Sequence, residues 1–199
     1  MKRSTGFFDN DTIRETTMLL KGCLHTHTTC SDGKMTPQEV AEAYQSLGYD
    51  FIAFTDHDYL LSPRCDEIYG NVKSDLIIFR GIELTVFAKG YVHVNRIEGE
   101  TETMYVFNHL GEYDLTVEEV QDRISIVREK YPIDLVEITT KGFRHKEFEI
   151  PEIEYPKMAS DDSHSRVGIG RAWVELDADR DRDHIIKKMK QGDFWNCYV

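Results

Sequence analysis

The stretch MLLKGCLHTHTTCSDG, residues 18–33, decides how this chain is read. Its first half is a short apolar run of the kind that forms a strand inside a sheet. The run ends in His25-Thr26-His27, and the period-two geometry of a strand sends both imidazoles to one side and Thr26 to the other. A lone histidine in a strand is ordinarily a core or surface residue. Two at i and i+2, followed by Asp32 in a turn containing Gly33, have the arrangement of a metal-chelating site at a strand end.

Outward from this stretch, apolar runs alternate with helical patterns. A helix is expected from about Pro37 to Leu47, with Thr36 as N-cap, Pro37 in the first turn, Glu39 at the third position and Gly48 to end it. Strands follow at DFIAFT and DLIIFRGIELTVF, and Lys89-Gly90 turns the second of these back into YVHVNRI as a hairpin. MYVFNHL is a further strand. Thr116-Val117-Glu118-Glu119 is a capping box that opens a helix to about Lys130. After the strand DLVEIT, residues 141–155 read as a long loop or short helix. PKMAS and GRAWVEL are then strands, and a last helix runs from about Asp181 to Lys190. Short parallel strands with intervening helices in 199 residues predict an α/β fold, a small incomplete (β/α) barrel below the ~250 residues of a full one. An open doubly wound sheet is the alternative. Either places polar residues at the carboxyl ends of strands on a functional rim.

The length favours one domain, residues 18–199, behind an N-terminal extension of residues 1–17. With 24 Lys and Arg against 36 Asp and Glu, the formal charge of −12 disfavours long nucleic acid as a partner. The extension lacks a signal-peptide run and no segment reaches membrane-span length, so a cytoplasmic location off the membrane is expected. Cys23, Cys30, Cys65 and Cys197 form no Cys-x-x-Cys pair, and reduced, mostly buried thiols are expected. The sequence leaves the oligomeric state open.

The strand-end pattern of His25 and His27 then recurs. Asp56-His57-Asp58 follows FIAFT, Glu83 follows FRGI, His93 lies in VHV, His109 follows MYVFN, and Asp162-Ser163-His164 follows KMAS. Imidazole and carboxylate suit zinc, manganese or iron, and since one ion takes four to six donors, these nine imply two or three ions. Asp56 and Asp58 read as acceptors for the second ring N–H of a ligating histidine, or as turn residues. His93, alternating with Val92 and Val94, also reads as the polar face of a hairpin strand. His145, in the long loop, and His184, in the charged last helix, stay outside the set. Gly168-Ile169-Gly170 lacks the third glycine of a dinucleotide loop and reads as a turn.

Together, HTHTTCSDG, FTDHD, GIELT, VHV, NHL and SDDSH resemble the polymerase and histidinol phosphatase (PHP) superfamily of metal-dependent phosphoesterases. The resemblance implies a distorted barrel of seven units and a di- or trinuclear centre. It implies that His25, His27, Glu83 and Asp162 hold a first ion. Glu83 bridges to a second held by His93 and His109, and Asp32, His57 and His164 hold a third. Glu83, Asp162 and His164 are then the catalytic residues. Asp161 stands where the family commonly has a small residue.

The implied activity is hydrolysis of a phosphomonoester of a small metabolite or nucleotide by a metal-activated water. Arg144 and Arg166 are the candidates for holding its phosphate. The alternatives are a phosphodiesterase or exonuclease acting on short or cyclic nucleotides, and a non-catalytic, metal-stabilised regulatory domain.

Overall fold

A computed structural model describes residues 18–199; the expected extension of residues 1–17 lies outside the described residues. Among the described residues, eleven strands and four helices follow one another. β1 (Met18–Thr26) leads into α1 (Pro37–Ser46), β2 (Phe51–Phe54), α2 (Cys65–Gly70) and β3 (Ile77–Phe87). β4 (Tyr91–Glu98) and β5 (Thr103–Phe107) precede α3 (Val117–Arg128) and β6 (Leu135–Glu137). A two-stranded hairpin, β7 (Thr139–Thr140) and β8 (Phe143–Arg144), comes next, then β9 (Lys157–Met158), β10 (Ala172–Ala178), α4 (Arg182–Gln191) and β11 (Trp195–Tyr198).

The helices start where their caps dictate. Thr36 and Thr116 each accept from the backbone N–H three residues on, while Glu39 and Glu119 reach back to complete both capping boxes. The short α2 has no side-chain cap at its N-terminus and has no counterpart in the sequence reading.

Nine strands make one sheet in the order β11-β10-β1-β2-β3-β4-β5-β6-β9. β1, β2 and β3 are mutually parallel, as are β5, β6 and β9. The expected alternation of strands with helices gives way at β3-β4-β5, an antiparallel meander, and at β10, which runs antiparallel to β1 and β11. The links between the meander strands are too short for a crossover, and antiparallel pairs need only a turn. The sheet nonetheless nearly closes into the expected distorted barrel. The segment after β9 returns to β1, where His27 N–H donates to the Ser163 carbonyl at 2.9 Å and Thr26 and Ser163 form a parallel bridge. Below, the Asn196 carboxamide of β11 accepts from Ala159 N–H (2.8 Å) and donates to the Lys157 carbonyl (2.7 Å), imitating a ladder peptide between β11 and β9.

Three apolar layers hold this frame. Leu20, Leu24, Phe51, Ala53, Phe79, Ile97, Met104 and Leu135 fill the barrel, and Ile185, Ile186 and Met189 of α4 plug its lower end. Cys23, Ile52 and Phe54 pack outward against Val40, Ala41 and Tyr44 of α1. Val94, Phe107 and Val136 pack against Val120, Ile124 and Val127 of α3. Among the described residues no helix is long and apolar enough to cross a membrane.

The cysteine expectation is corrected. Cys30 and Cys65 form a disulfide, with Cα atoms 5.7 Å apart, while Cys23 and Cys197 are free thiols. The loop after β1 folds back over the start of α2, and Ser62 N–H donates to the Cys30 carbonyl at 2.9 Å. This long-range proximity has no signature in cysteine spacing.

Candidate metal centre

One rule of register builds the site: a strand that puts a hydrophobic residue into the barrel core puts a polar one at the rim two or four residues along. Ala53 leads to His57, Phe79 to Glu83, and Leu135 to Glu137. On antiparallel β4 the order runs backward, from Ile97 to His93. β1 breaks the rule, since Leu20 and Leu24 face the core but the histidines have the opposite parity. Its register against β2 shifts between Cys23 and Thr26, and this irregularity carries His25 and His27 to the inner face.

Glu83 is the hub. Its Oε1 lies 3.1 Å from His109 Nε2 and 3.4 Å from both His25 Nε2 and His93 Nδ1. Its Oε2 lies 3.0 Å from His57 Nδ1 and 3.2 Å from His27 Nε2. Asp162 Oδ1 faces His25 at 3.5 Å and His27 at 3.3 Å. Nearer solvent, Asp32 Oδ2 lies 3.6 Å from His57 Nε2 and 3.4 Å from His164 Nε2. All nine residues of the sequence reading therefore meet in one cluster. His93 is among them, its Nδ1 facing Glu83 from the β4 hairpin strand.

The donor set fits cations. Nδ1 of His27, His57 and His109 are buried without a hydrogen-bond partner among the described residues. They nonetheless lie 3.3, 3.0 and 3.0 Å from oxygens of Asp32, Glu83 and Glu112. Buried nitrogens facing carboxylates without hydrogen-bond alignment are arranged to share an ion in place of a proton. Subsets around His25-His27-Asp162, His57-Glu83-His93 and Asp32-His57-His164 each bring their ligand atoms within 4.8 Å of one another.

The supports differ from those expected. Asp56 and Asp58 receive no imidazole N–H. Asp56 instead accepts from Thr28 N–H (2.8 Å), Thr28 Oγ1, Ser31 Oγ and Tyr69 Oη, tying down the loop that presents Asp32. Gly33 lets that loop close, since a Cβ there would sit 2.6 Å from the His27 backbone. Asp58 accepts from Tyr59 and Thr85 N–H. Both carboxylates sit beside backbone donors of their own loops, which sequence proximity to His57 does not reveal.

The imidazole acceptor is Glu137, which the sequence reading passed over. Its Oε2 takes His25 Nδ1 and the backbone N–H of His109, each at 3.0 Å, and its Oε1 takes the Ser160 hydroxyl. The signal for it is an acid at a core-parity position of the apolar run Leu135-Val136-Glu137-Ile138. Asp161 turns away from the cluster and accepts the N–H groups of Gly170, Arg171 and Ala172, stapling the Asp162 segment to the start of β10.

Electrostatics divides the cluster. Burial opposes charge on His25, but Glu137, Glu83 and Asp162 outweigh it and push its pKa up to about 10. His27 and His109 are likewise raised against burial by neighbouring carboxylates. Burial works against charge on Glu83 and Asp162 too, yet these imidazoles hold Glu83 well below the usual carboxylate range and Asp162 at about 2. For His57, His93 and His164 burial prevails and their pKa values fall.

Above the cluster opens a cavity of about 180 Å³. Seven of the nine residues line it, with His25 and His27 beneath, and Glu112 and Lys141 complete its wall. Arg144 and Arg166 do not reach it. Arg144 pairs with Glu149 and lies over the Tyr198 ring, and Arg166 occupies an exposed turn. His145 pairs with Glu147, and His184 with Asp179 near the start of α4.

The profile of the PHP domain matches residues 24–163, more than half of the chain. This chain belongs to the PHP domain family. Over 42 residues, 21% of this PHP protein, it is 48% identical to the DNA polymerase/3'-5' exonuclease PolX of Bacillus subtilis, and the match covers 7% of that enzyme. Solved structures share the fold. A two-domain protein from Bacteroides vulgatus containing a predicted PHP-like metal-dependent phosphoesterase superposes with TM-score 0.69 at 16% identity, over 92% of this chain and 66% of that one. An amidohydrolase from Chromobacterium violaceum with bound sulfate and no metal gives 0.62 at 12% identity, over 89% and 97%. PsfC from Pseudomonas syringae gives 0.61 at 13%, over 91% and 92%.

Proposed function

We propose that this PHP protein hydrolyses phosphomonoesters of small metabolites or nucleotides, using two or three divalent transition-metal ions (manganese, zinc or iron). The observation that carries the reading is Glu83, one buried carboxylate within 3.4 Å of five imidazoles, three of them at Oε1 and two at Oε2. Such ions, when bound, acidify a water toward neutrality and offset the charge of phosphate oxygens.

The chain's own residues prepare that chemistry. Glu83 would join two ions, and His25, His27 and Asp162 would hold the first against the barrel floor. Glu137 fixes the His25 tautomer by taking its Nδ1–H, so Nε2 keeps its lone pair for the ion. His93 and His109 would complete the second site, and Asp32, His57 and His164 the third. The third set stands at the open edge of the cavity, where a phosphate enters. Three divalent ions add about +6 locally, which reconciles a chain of formal charge −12 with an anionic substrate.

A phosphodiester reading has one observation in its favour, the 42-residue match to PolX. The acidic surface confines it to short or cyclic substrates. Turnover of a chromogenic phosphomonoester and its methyl diester by manganese-loaded protein separates the two. The monoester reading expects the monoester to be the better substrate. A better diester would replace it, and no turnover of either would favour a non-catalytic, metal-stabilised domain.

A further inference from the structure

Among the described residues, Lys141 is the one lysine or arginine lining the cavity above the metal cluster. Five non-glycine residues of the described chain have left-handed backbone: Lys89, His109, Asp114, Lys141 and Asp162. Three of these, His109, Lys141 and Asp162, line this cavity. Left-handed backbone at a non-glycine residue is costly, and it persists where surrounding structure enforces it. At Lys141 the enforcing group is Arg171, whose Nη1 donates to the Lys141 carbonyl at 3.1 Å. The next residue, Gly142, is also left-handed (φ 79°) and packs so closely on Arg171 that a Cβ there would meet the arginine Cβ at 2.5 Å. The Arg171 guanidinium in turn covers the Phe143 ring, 4.9 Å from its centroid. Arg171 thus holds the Lys141 carbonyl and the two residues after it, and Lys141, exposed to solvent, lines the cavity wall. No ion pair among the described residues uses its ammonium, whereas Arg144, three residues on, is consumed by Glu149.

Resting on the phosphomonoester reading, we propose that Lys141 binds the substrate's terminal phosphate and selects monoesters over diesters. A monoester presents three non-bridging oxygens and carries up to two negative charges; a diester presents two and carries one. Once two oxygens face the metal cluster, only the monoester has a third, charged oxygen left for a wall cation. Lysine suits this role as a point charge on a flexible stem that meets phosphate from several angles.

The test uses manganese-loaded protein, wild type against Lys141→Met and Lys141→Arg, with metal content and circular dichroism recorded for each. Lys141→Met should lower kcat/KM for 4-nitrophenyl phosphate by about 10- to 100-fold, the worth of one charge-assisted hydrogen bond. It should lower that for methyl 4-nitrophenyl phosphate by less than about 3-fold on the same grounds. Lys141→Arg should restore most of the loss, and titration calorimetry should show inorganic phosphate binding Lys141→Met at least about 10-fold more weakly. Equal losses on both esters, or no loss on either, with metal content unchanged, would overturn the proposal. If wild type turns over neither ester, the phosphomonoester reading fails by itself. The phosphate titration then decides for Lys141: weakened binding in Lys141→Met sustains an anion site, and unchanged binding ends it.

Discussion

The floor and the rim of the metal cluster use the same side chains in opposite ways. On the floor, His25, His27 and His109 lie among Glu83, Glu137 and Asp162, all six at most 4% exposed, and the carboxylates overcome burial to hold protons on the imidazoles. At the rim, His57, His93 and His164 have fewer acids about them, burial dominates and they shed protons, while the Asp32 side chain is 38% exposed. The floor without metal is therefore a buried network of compensated charge. Removing one partner there strands the others, which is among the costliest changes a core can suffer. The rim is a set of neutral donors in reach of solvent, where a lost ligand should cost an ion and leave the fold intact.

Glu83→Gln strikes the joint between the two halves and carries the largest expected effect. It removes the charge facing five imidazoles, so turnover should fall about 10³-fold or more and bound metal should drop by more than one ion per chain. Wild-type metal content in this variant would show that Glu83 does not join two ions. Next comes Glu137→Gln, which touches no ion in this scheme but releases His25 Nδ1 and the His109 backbone. Loss of such a supporting carboxylate should weaken metal affinity by about 10- to 100-fold. An unchanged affinity, measured by competition with a chelator, would reduce Glu137 to a structural bystander. Asp32→Asn should do less still. One ion is lost, and stability to urea changes by less than about 1 kcal/mol because the group is part-exposed. If that variant loses all its metal, the division into floor and rim is wrong.

The division also predicts opposite responses to pH. In metal-free protein the folded pKa of His25 is raised from 6.5 to about 10, so its contribution to stability is complete below 6.5 and is lost as pH rises through 10. Asp162 has the reverse sign, lowered from 3.8 to about 2, and its contribution is lost as pH falls through that range. Metal binding requires neutral imidazoles, so the stability that metal confers grows as pH rises. Urea midpoints of chelated protein should fall between about pH 7 and about pH 10, and those of manganese-loaded protein should rise between about pH 5 and about pH 8. Parallel profiles would mean that floor protons and metal do not compete.

Much of this arrangement is legible in the sequence, for a reason that particular residues make plain. His25-Thr26-His27 and Asp162-Ser163-His164 follow apolar runs and Glu83 lies four residues past Phe79 on β3, so local patterning finds each of them, although the inward turn of the two β1 histidines depends on the register shift against β2. The capping boxes at Thr36 and Thr116 and the turn at Lys89-Gly90 are equally local, and the helices and hairpin they mark appear where expected. What escapes depends on contacts between distant segments. Glu137 and His25 are separated by 112 residues, Cys30 and Cys65 by 35, and the Asn196 link to β9 by 37 or more. Arg144 reads as a phosphate ligand until Glu149 is seen beside it, and nothing local singles out Lys141, which only the fold brings to the cavity wall.

Nine residues brought together by the fold would hold metal through one shared carboxylate, Glu83. Elemental analysis of protein reconstituted with manganese or zinc and freed of excess ion, wild type beside Glu83→Gln, tests it most directly. Two or three ions per chain are expected in the wild type and at most one in the variant. Wild-type protein that retains no metal after reconstitution, or two proteins that retain equal amounts, would contradict it.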